Sequence, residues 1–267
     1  MIKTQRYGWR KDLVRKDIRD FVFSAPRRLG TELPNEVDWR NTPEAMPPIR
    51  DQDGVGSCTG YSTAGAHEFL QRKEGPSTVF TPSPFFNYYN ARDLEGTTNQ
   101  DAGASIRDVV DGLVHKGTVP ESLWPSNDPT RVTSKPFSDI YEEGLKHQIL
   151  QYQSVPQNLD QMRACIAARY PLCFGITIHK SFESSIVKET GVVSMPGWRF
   201  FDPVQGGHAL WACGYSMERK YFIVPNSWST NWGDKGYCYI PFDYMLDRNL
   251  CSDLWMLMLV EEEDVTI

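Results

Sequence analysis

No apolar run in this 267-residue chain is long enough to cross a bilayer as a helix. The longest, Leu254–Val260, has seven residues, against the roughly 20 that a spanning helix needs. The opening Met-Ile-Lys-Thr-Gln-Arg leads into no apolar core of the kind a secretory leader carries, so an intracellular location is the default expectation and no membrane partner is expected. Positive charge is in short supply. With 28 Lys+Arg against 34 Asp+Glu the net charge is −6, so a nucleic-acid partner is not expected either. The six cysteines contain no C-x-x-C pair, and no Cys/His cluster has metal-ligand spacing. G-x-S-x-G, the phosphate-cradling G-x-x-x-x-G-K-[ST] and H-E-x-x-H are all missing. The glycines at 54, 56 and 60 have the wrong spacing for a dinucleotide loop. No cofactor and no metal are expected.

What remains is a folded, aromatic-rich composition: 40% apolar residues, with 8 Trp, 12 Tyr and 13 Phe. Residues 1–33 read as an N-terminal extension, a candidate short propeptide, and a compact body covers 34–267. Pro, Gly and Asp make a loop of 41–56. The proline-free stretch Thr59–Lys73 then reads as a helix with Cys58 at its N-terminus and Gly75-Pro76 as its stop. Ile106, Val109, Val110, Leu113 and Val114 have the spacing of one helical face, stopped at Gly117, and a third helix follows an Asn158 cap as far as Tyr170. Beyond it, Leu172–Ile178, Ala209–Tyr215, Tyr221–Val224, Tyr237–Ile240 and Leu254–Val260 are short apolar runs bounded by turn residues, hence strands. Helices first and strands second give an α+β protein, with a helical half over 34–147 and a β-rich half over 148–267.

Most single cysteines are small buried hydrophobes, but the setting of Cys58 is different. The run Gln52-Asp53-Gly54-Val55-Gly56-Ser57-Cys58 puts a thiol after a glycine loop and at a helix N-terminus, where backbone amides favour the thiolate. A nucleophile there needs a base and a group to orient the base. Gly206-Gly207-His208 and Pro225-Asn226-Ser227-Trp228 supply both types, with His208 150 residues and Asn226 168 residues beyond Cys58. His67, His115, His147 and His179 lie beside Glu or Lys and are expected at the surface, outside the site.

These motifs resemble those of the papain-like cysteine peptidases. Leu33-Pro34 through Val37-Asp38-Trp39-Arg40 matches the start of the family's mature domain. Gln52–Cys58 matches its Q-x-x-x-G-S-C loop, and Asn226-Ser227-Trp228 through Trp232-Gly233 matches its N-S-W-x-x-x-W-G motif. The extension, with Tyr7-Gly8-Trp9 and Arg19-Asp20-Phe21, is similar to that of the family's bacterial, xylellain-like branch. The resemblance implies a two-lobed fold with a helical left lobe, a β-barrel-like right lobe and a cleft between them. It implies an endopeptidase acting on peptide or protein substrates through a thioester. Cys58 would attack, His208 would exchange the proton, Asn226 would orient the imidazole under the cover of Trp228, and Gln52 would donate to the oxyanion.

Where the family carries C-G-S-C-W, this chain reads Val55-Gly56-Ser57-Cys58-Thr59, and Cys251 has no partner cysteine just before His208. The disulfide framework of secreted members is therefore expected to be missing. Gly103, Gly206, Ala209 and Trp228 would line the substrate groove, with Met256 at its floor, which implies a preference for an apolar residue there. The extension would pack along the body, over the cleft or as a belt. Two other functions fit the same motifs: a papain-fold binding module without turnover, and a Cys-His acyltransferase.

Overall fold

The computed structural model describes residues 7–12, 20–25, 32–42, 46–74, 79–198 and 200–259. In chain order the named elements are β1 (Glu36–Asp38), α1 (Cys58–Glu74), α2 (Pro84–Glu95), α3 (Ile106–His115), α4 (Ser138–Gly144), β2 (Gln151–Ser154), α5 (Leu159–Ala167), β3 (Leu172–His179), α6 (Ser185–Thr190), β4 (Val204–Ala212), β5 (Gly214–Ser216), β6 (Tyr221–Pro225), β7 (Tyr237–Pro241), α7 (Phe242–Leu246) and β8 (Cys251–Met258). Two four-stranded antiparallel sheets, ordered β1-β5-β6-β7 and β2-β8-β3-β4, make the second half. Only Cys213 separates β4 from β5, so one nearly continuous strand passes from one sheet to the other.

Local chemistry accounts for the helix starts. Ser105 accepts from the amide of Asp108 and so caps α3, while Asn158 accepts from Asp160 and Gln161 and caps α5. Periodicity does not reveal α2, because it is buried on nearly every side and has no polar stripe. Its ends were nevertheless written in the sequence: Ser83 caps it, Pro84 fills its first position, and Gly96 closes it with φ 70°. The expected stop of α1 at Gly75-Pro76 lies outside the described residues.

The boundary between the halves is crossed by the chain. β1, from the opening of the body, pairs with β5 and belongs to the second half's sheet. The larger apolar core also runs across both halves, joining Phe69, Leu70 and Val110 to Phe174, Trp211 and Tyr215. Tyr88, Phe85, Phe86 and Trp124 form a second cluster within the helical half. The surface assignment of two histidines needs correction. His67 and His179 are buried, because each ring finds a polar partner inside: the Gln71 amide 3.0 Å from His67 Nδ1, and the Asp202 carbonyl 2.8 Å from His179 Nδ1.

All six cysteines are buried and unpaired. Cys251, the counterpart of a family disulfide cysteine, lies 3.8 Å from the Met245 sulfur. Denatured without reductant, the chain is expected to take up six equivalents of a maleimide by intact mass; four or fewer would contradict the free-thiol assignment.

Candidate active site

Cys58 is the first residue of α1 and is completely buried. The loop before it is fastened to the loop that carries Asn226. Gln52 N–H donates to the Ser227 carbonyl at 2.9 Å, the Ser227 hydroxyl donates to Gln52 Oε1 at 2.6 Å, and Asp51 bridges to Trp228. Gln52 Nε2 donates to the Val55 carbonyl at 2.8 Å, within the nucleophile loop.

His208 sits in β4, opposite Ile176 of β3, and Asn226 follows β6. The imidazole Nε2 lies 2.8 Å from Asn226 Oδ1, which also accepts from the Ser227 amide. Trp228 stacks on the imidazole with centroids 4.8 Å apart, and Trp232 and Phe182 meet the indole edge-on. That apolar cover excludes water from the His208–Asn226 bond, which strengthens it and fixes the ring. Nδ1 has no hydrogen-bond partner among the described residues. The amide next in the chain, Ala209 N–H, points at the Cys58 thiol, so the thiol and the imidazole belong to one site.

Of the four expected groove residues, Gly103 and Gly206 lie against residues 7–12, Ala209 adjoins the thiol, and Trp228 lies edge-on to Tyr7. Gly103 (φ 74°) meets the Gly8 backbone, and Gly206 lies under the Tyr7 ring. Ala209 and Trp228 are buried with the histidine. Met256 is inside β8, registered against Leu172 and Gln153. The sequence reading missed the support behind Gly56 and Gly103. Asp101 accepts from the Gly56 amide at 2.9 Å and from Tyr88 Oη at 2.6 Å, and Tyr88 Oη accepts from the Gly103 amide at 2.8 Å. One carboxylate and one phenol thus hold both glycine walls, and neither residue falls in a recognised motif.

The groove is filled by the chain's own residues 7–12. Gly8 lies backbone to backbone on Gly56, close enough that a β-carbon on residue 8 would fall inside the Gly56 carbonyl. Three hydrogen bonds lace the segment in: Ala104 N–H to Gly8 O at 2.8 Å, Arg10 N–H to Ala104 O at 3.0 Å, and Trp9 N–H to Gly207 O at 3.0 Å. Tyr7 meets His208 and Trp228 edge-on and bonds to Glu183, while Arg10 pairs with Glu95. Residues 20–25 do something different. Phe23 and Phe21 exchange hydrogen bonds with Ser154 at the edge of β2, and Asp20 pairs with Arg107.

This cover reverses the electrostatics expected at a helix N-terminus. Burial pushes the Cys58 thiol up to about 11, although the amides of Ala209, Gly8, Thr59 and Trp9 pull it down. Burial lowers His208 to about 4 against the opposing Asn226 contact. The covered site therefore holds a neutral thiol and a neutral imidazole. The Gly8 and Trp9 amides are among the backbone groups that pull the thiol down, so the segment contributes to the electrostatics at the sulfur as well as to its burial.

Residues 90–252 match the papain family cysteine protease profile. Xylellain, a cysteine protease from Xylella fastidiosa, is similar in structure with a TM-score of 0.85 and 32% identity, covering 97% of this chain and 98% of that one. An uncharacterized peptidase C1-like protein of Acanthamoeba polyphaga mimivirus is 34% identical over 82% of this chain and 72% of its own length. Chicken (Gallus gallus) cathepsin K is 27% identical over 80% of this chain, which spans only 63% of that protein. Several plant relatives are spanned to less than half their length. The chain belongs to the papain family of cysteine proteases. It is a hydrolase of peptide bonds, a cysteine endopeptidase, and its substrates are peptides or proteins.

The thiolate is the alkylating form, so in the full chain iodoacetamide labelling of Cys58, followed by peptide mapping, should keep rising with pH toward about 11. Displacing residues 7–12 removes the burial that raises the thiol and should move the profile to lower pH. A plateau already reached at neutral pH in the full chain would contradict the neutral pair.

Proposed function

We propose that Cys58, His208, Asn226 and Gln52 carry the hydrolysis, and that residues 7–12 keep the enzyme latent. The observation that carries the proposal is the His208–Asn226 bond stacked under Trp228, with Cys58 at the start of α1 in contact with the backbone of Ala209, the residue after His208. Once the groove is open, the Cys58 proton passes to His208 Nδ1 and the sulfur attacks the peptide carbonyl carbon. The tetrahedral oxyanion is stabilised by the Cys58 amide and the Gln52 side-chain amide. His208 then protonates the departing amine, which leaves a thioester. Water attacks that thioester as His208 takes its proton, and the acid is released with the thiol restored. Asn226 holds the imidazole in the plane that serves both transfers.

Latency follows from what fills the groove. A peptide substrate must lie between Gly56, Gly103 and Gly207, the positions that Gly8 and Trp9 hold. Burying the indole alone is worth several kcal/mol, at about 25 cal/mol per Å² over roughly 200 Å². The three backbone hydrogen bonds add about 1 kcal/mol each. Because residues 20–25 extend a sheet edge, removing the whole extension would confound access with stability. Point changes in residues 7–12 separate the two.

In the full chain, Trp9→Ala is expected to raise hydrolysis of a fluorescent casein by at least about tenfold, since loss of the anchor is worth more than 1.4 kcal/mol. In that background Cys58→Ala should abolish turnover. Gln52→Ala should lower kcat by about 10²–10³ with little change in KM. Equal activity with and without Trp9→Ala would refute latency, and turnover surviving Cys58→Ala would refute the nucleophile.

A further inference from the structure

The Trp9 indole occupies a pocket cut into the groove wall, next to the residue whose backbone crosses Cys58. Its walls are backbone. A β-carbon on Gly175 would fall on the indole edge, against Cε2, Cζ2 and Nε1, and one on Gly207 would collide with the Trp9 carbonyl. The floor is charged. Trp9 Nε1 donates to Asp253 Oδ2 at 2.9 Å, and the Asp12 amide donates to the same oxygen at 3.1 Å.

Asp253 reaches this position through a bulge. β8 pairs with β3 at Cys173↔Trp255 and again at Gly175↔Ser252, so Asp253 and Leu254 stand opposite the single residue Phe174. Asp253 takes a left-handed φ of 56° there. Bulges beside active sites commonly re-aim a side chain in this way. Both hydrogen bonds recorded for this carboxylate among the described residues come from residues 7–12. When the segment lifts, water replaces both donors; a side chain that covers the carboxylate again without supplying a donor leaves the acceptor unpaired, which costs about 1–3 kcal/mol.

Resting on the peptidase reading above, we infer that Asp253 is a specificity-determining residue: the Gly175–Gly207 pocket takes a substrate side chain that is long and ends in an N–H donor, namely Trp, Arg or Lys. Gly175 and Gly207 supply room for an indole or an extended aliphatic stem, and Asp253 supplies the acceptor at the end. An aliphatic side chain such as Leu fits the room and leaves the carboxylate unpaired, so the pocket selects against it. This differs from the purely apolar preference that the glycines and Met256 implied, because the bulge brings Asp253 to the floor and keeps Met256 within the sheet.

The test uses a fixed-length peptide library and the full chain carrying Trp9→Ala, with cleavage products read by mass spectrometry. Trp, Arg and Lys are expected to be enriched at one position on the amino-terminal side of the cleaved bond. Asp253→Asn keeps an acceptor and removes the charge, so it should lower the Arg and Lys enrichment about tenfold or more while retaining Trp. Asp253→Leu should move the preference to Leu and Phe. Enrichment of Leu, Ile or Val that neither substitution alters would overturn the inference. A Cys58→Ala version, dialysed against the same library, reads binding without chemistry. Donor-bearing peptides retained in an Asp253-dependent manner, with no cleavage by the Cys58-containing chain, would leave the pocket standing and bring down the peptidase roles. Neither cleavage nor selective retention would bring down both.

Discussion

Backbone lying on backbone is the constraint from which the rest of this site follows. Gly8 rests on Gly56 and Gly103, and Trp9 on Gly207 and Gly175, with no β-carbon to hold the chains apart. Glycine at these positions makes a groove narrow enough to bury a peptide's main chain. The same narrowness puts the chain's own segment within hydrogen-bonding distance of Ala104 and Gly207. The contact that would grip a substrate therefore also buries Cys58 and His208. Burial shifts the two in opposite directions, the thiol up and the imidazole down, so the pair is discharged while it is covered.

The proposed catalytic pair is held by parts that do not depend on the cover. His208 is fixed in register by β3 and β4, its Nε2 by Asn226, and its face by Trp228. The nucleophile loop is tied to the Asn226 loop through Gln52 and Ser227, and to the helical half through Asp101 and Tyr88. Opening the groove thus asks only for the departure of residues 7–12. The extension is divided accordingly: residues 20–25 complete a sheet edge, while residues 7–12 contribute a plug.

The sequence made the helix caps, the long strands and the four catalytic candidates legible, because each depends on short-range chemistry: an Asn158 cap, an apolar alternation, a Gly-Ser-Cys loop. α2 escaped periodicity because burial on all sides leaves no polar stripe, though Ser83, Pro84 and Gly96 punctuate it. Asp101, Tyr88 and Asp253 act across long separations in sequence, and their neighbours give no local sign of it. Asp253 escaped for a further reason. A bulge sets Asp253 and Leu254 opposite one residue of β3, so regular alternation along β8 does not tell which face Asp253 takes. Cys58 stands at a helix terminus, as expected, and the Thr59 amide pulls its thiol down; burial, which the local sequence does not show, pushes it up by more.

The most direct test is the rate at which a peptidyl epoxide labels Cys58 in the intact chain and in Gly8→Val, followed by intact mass. Valine at position 8 cannot avoid the Gly56 carbonyl by changing rotamer, so the segment must lift while every catalytic residue and residues 20–25 stay unchanged. Slow labelling of the intact chain and fast, stoichiometric labelling of Gly8→Val, lost on adding Cys58→Ser, is the result predicted. Equal labelling rates in the two chains would contradict it.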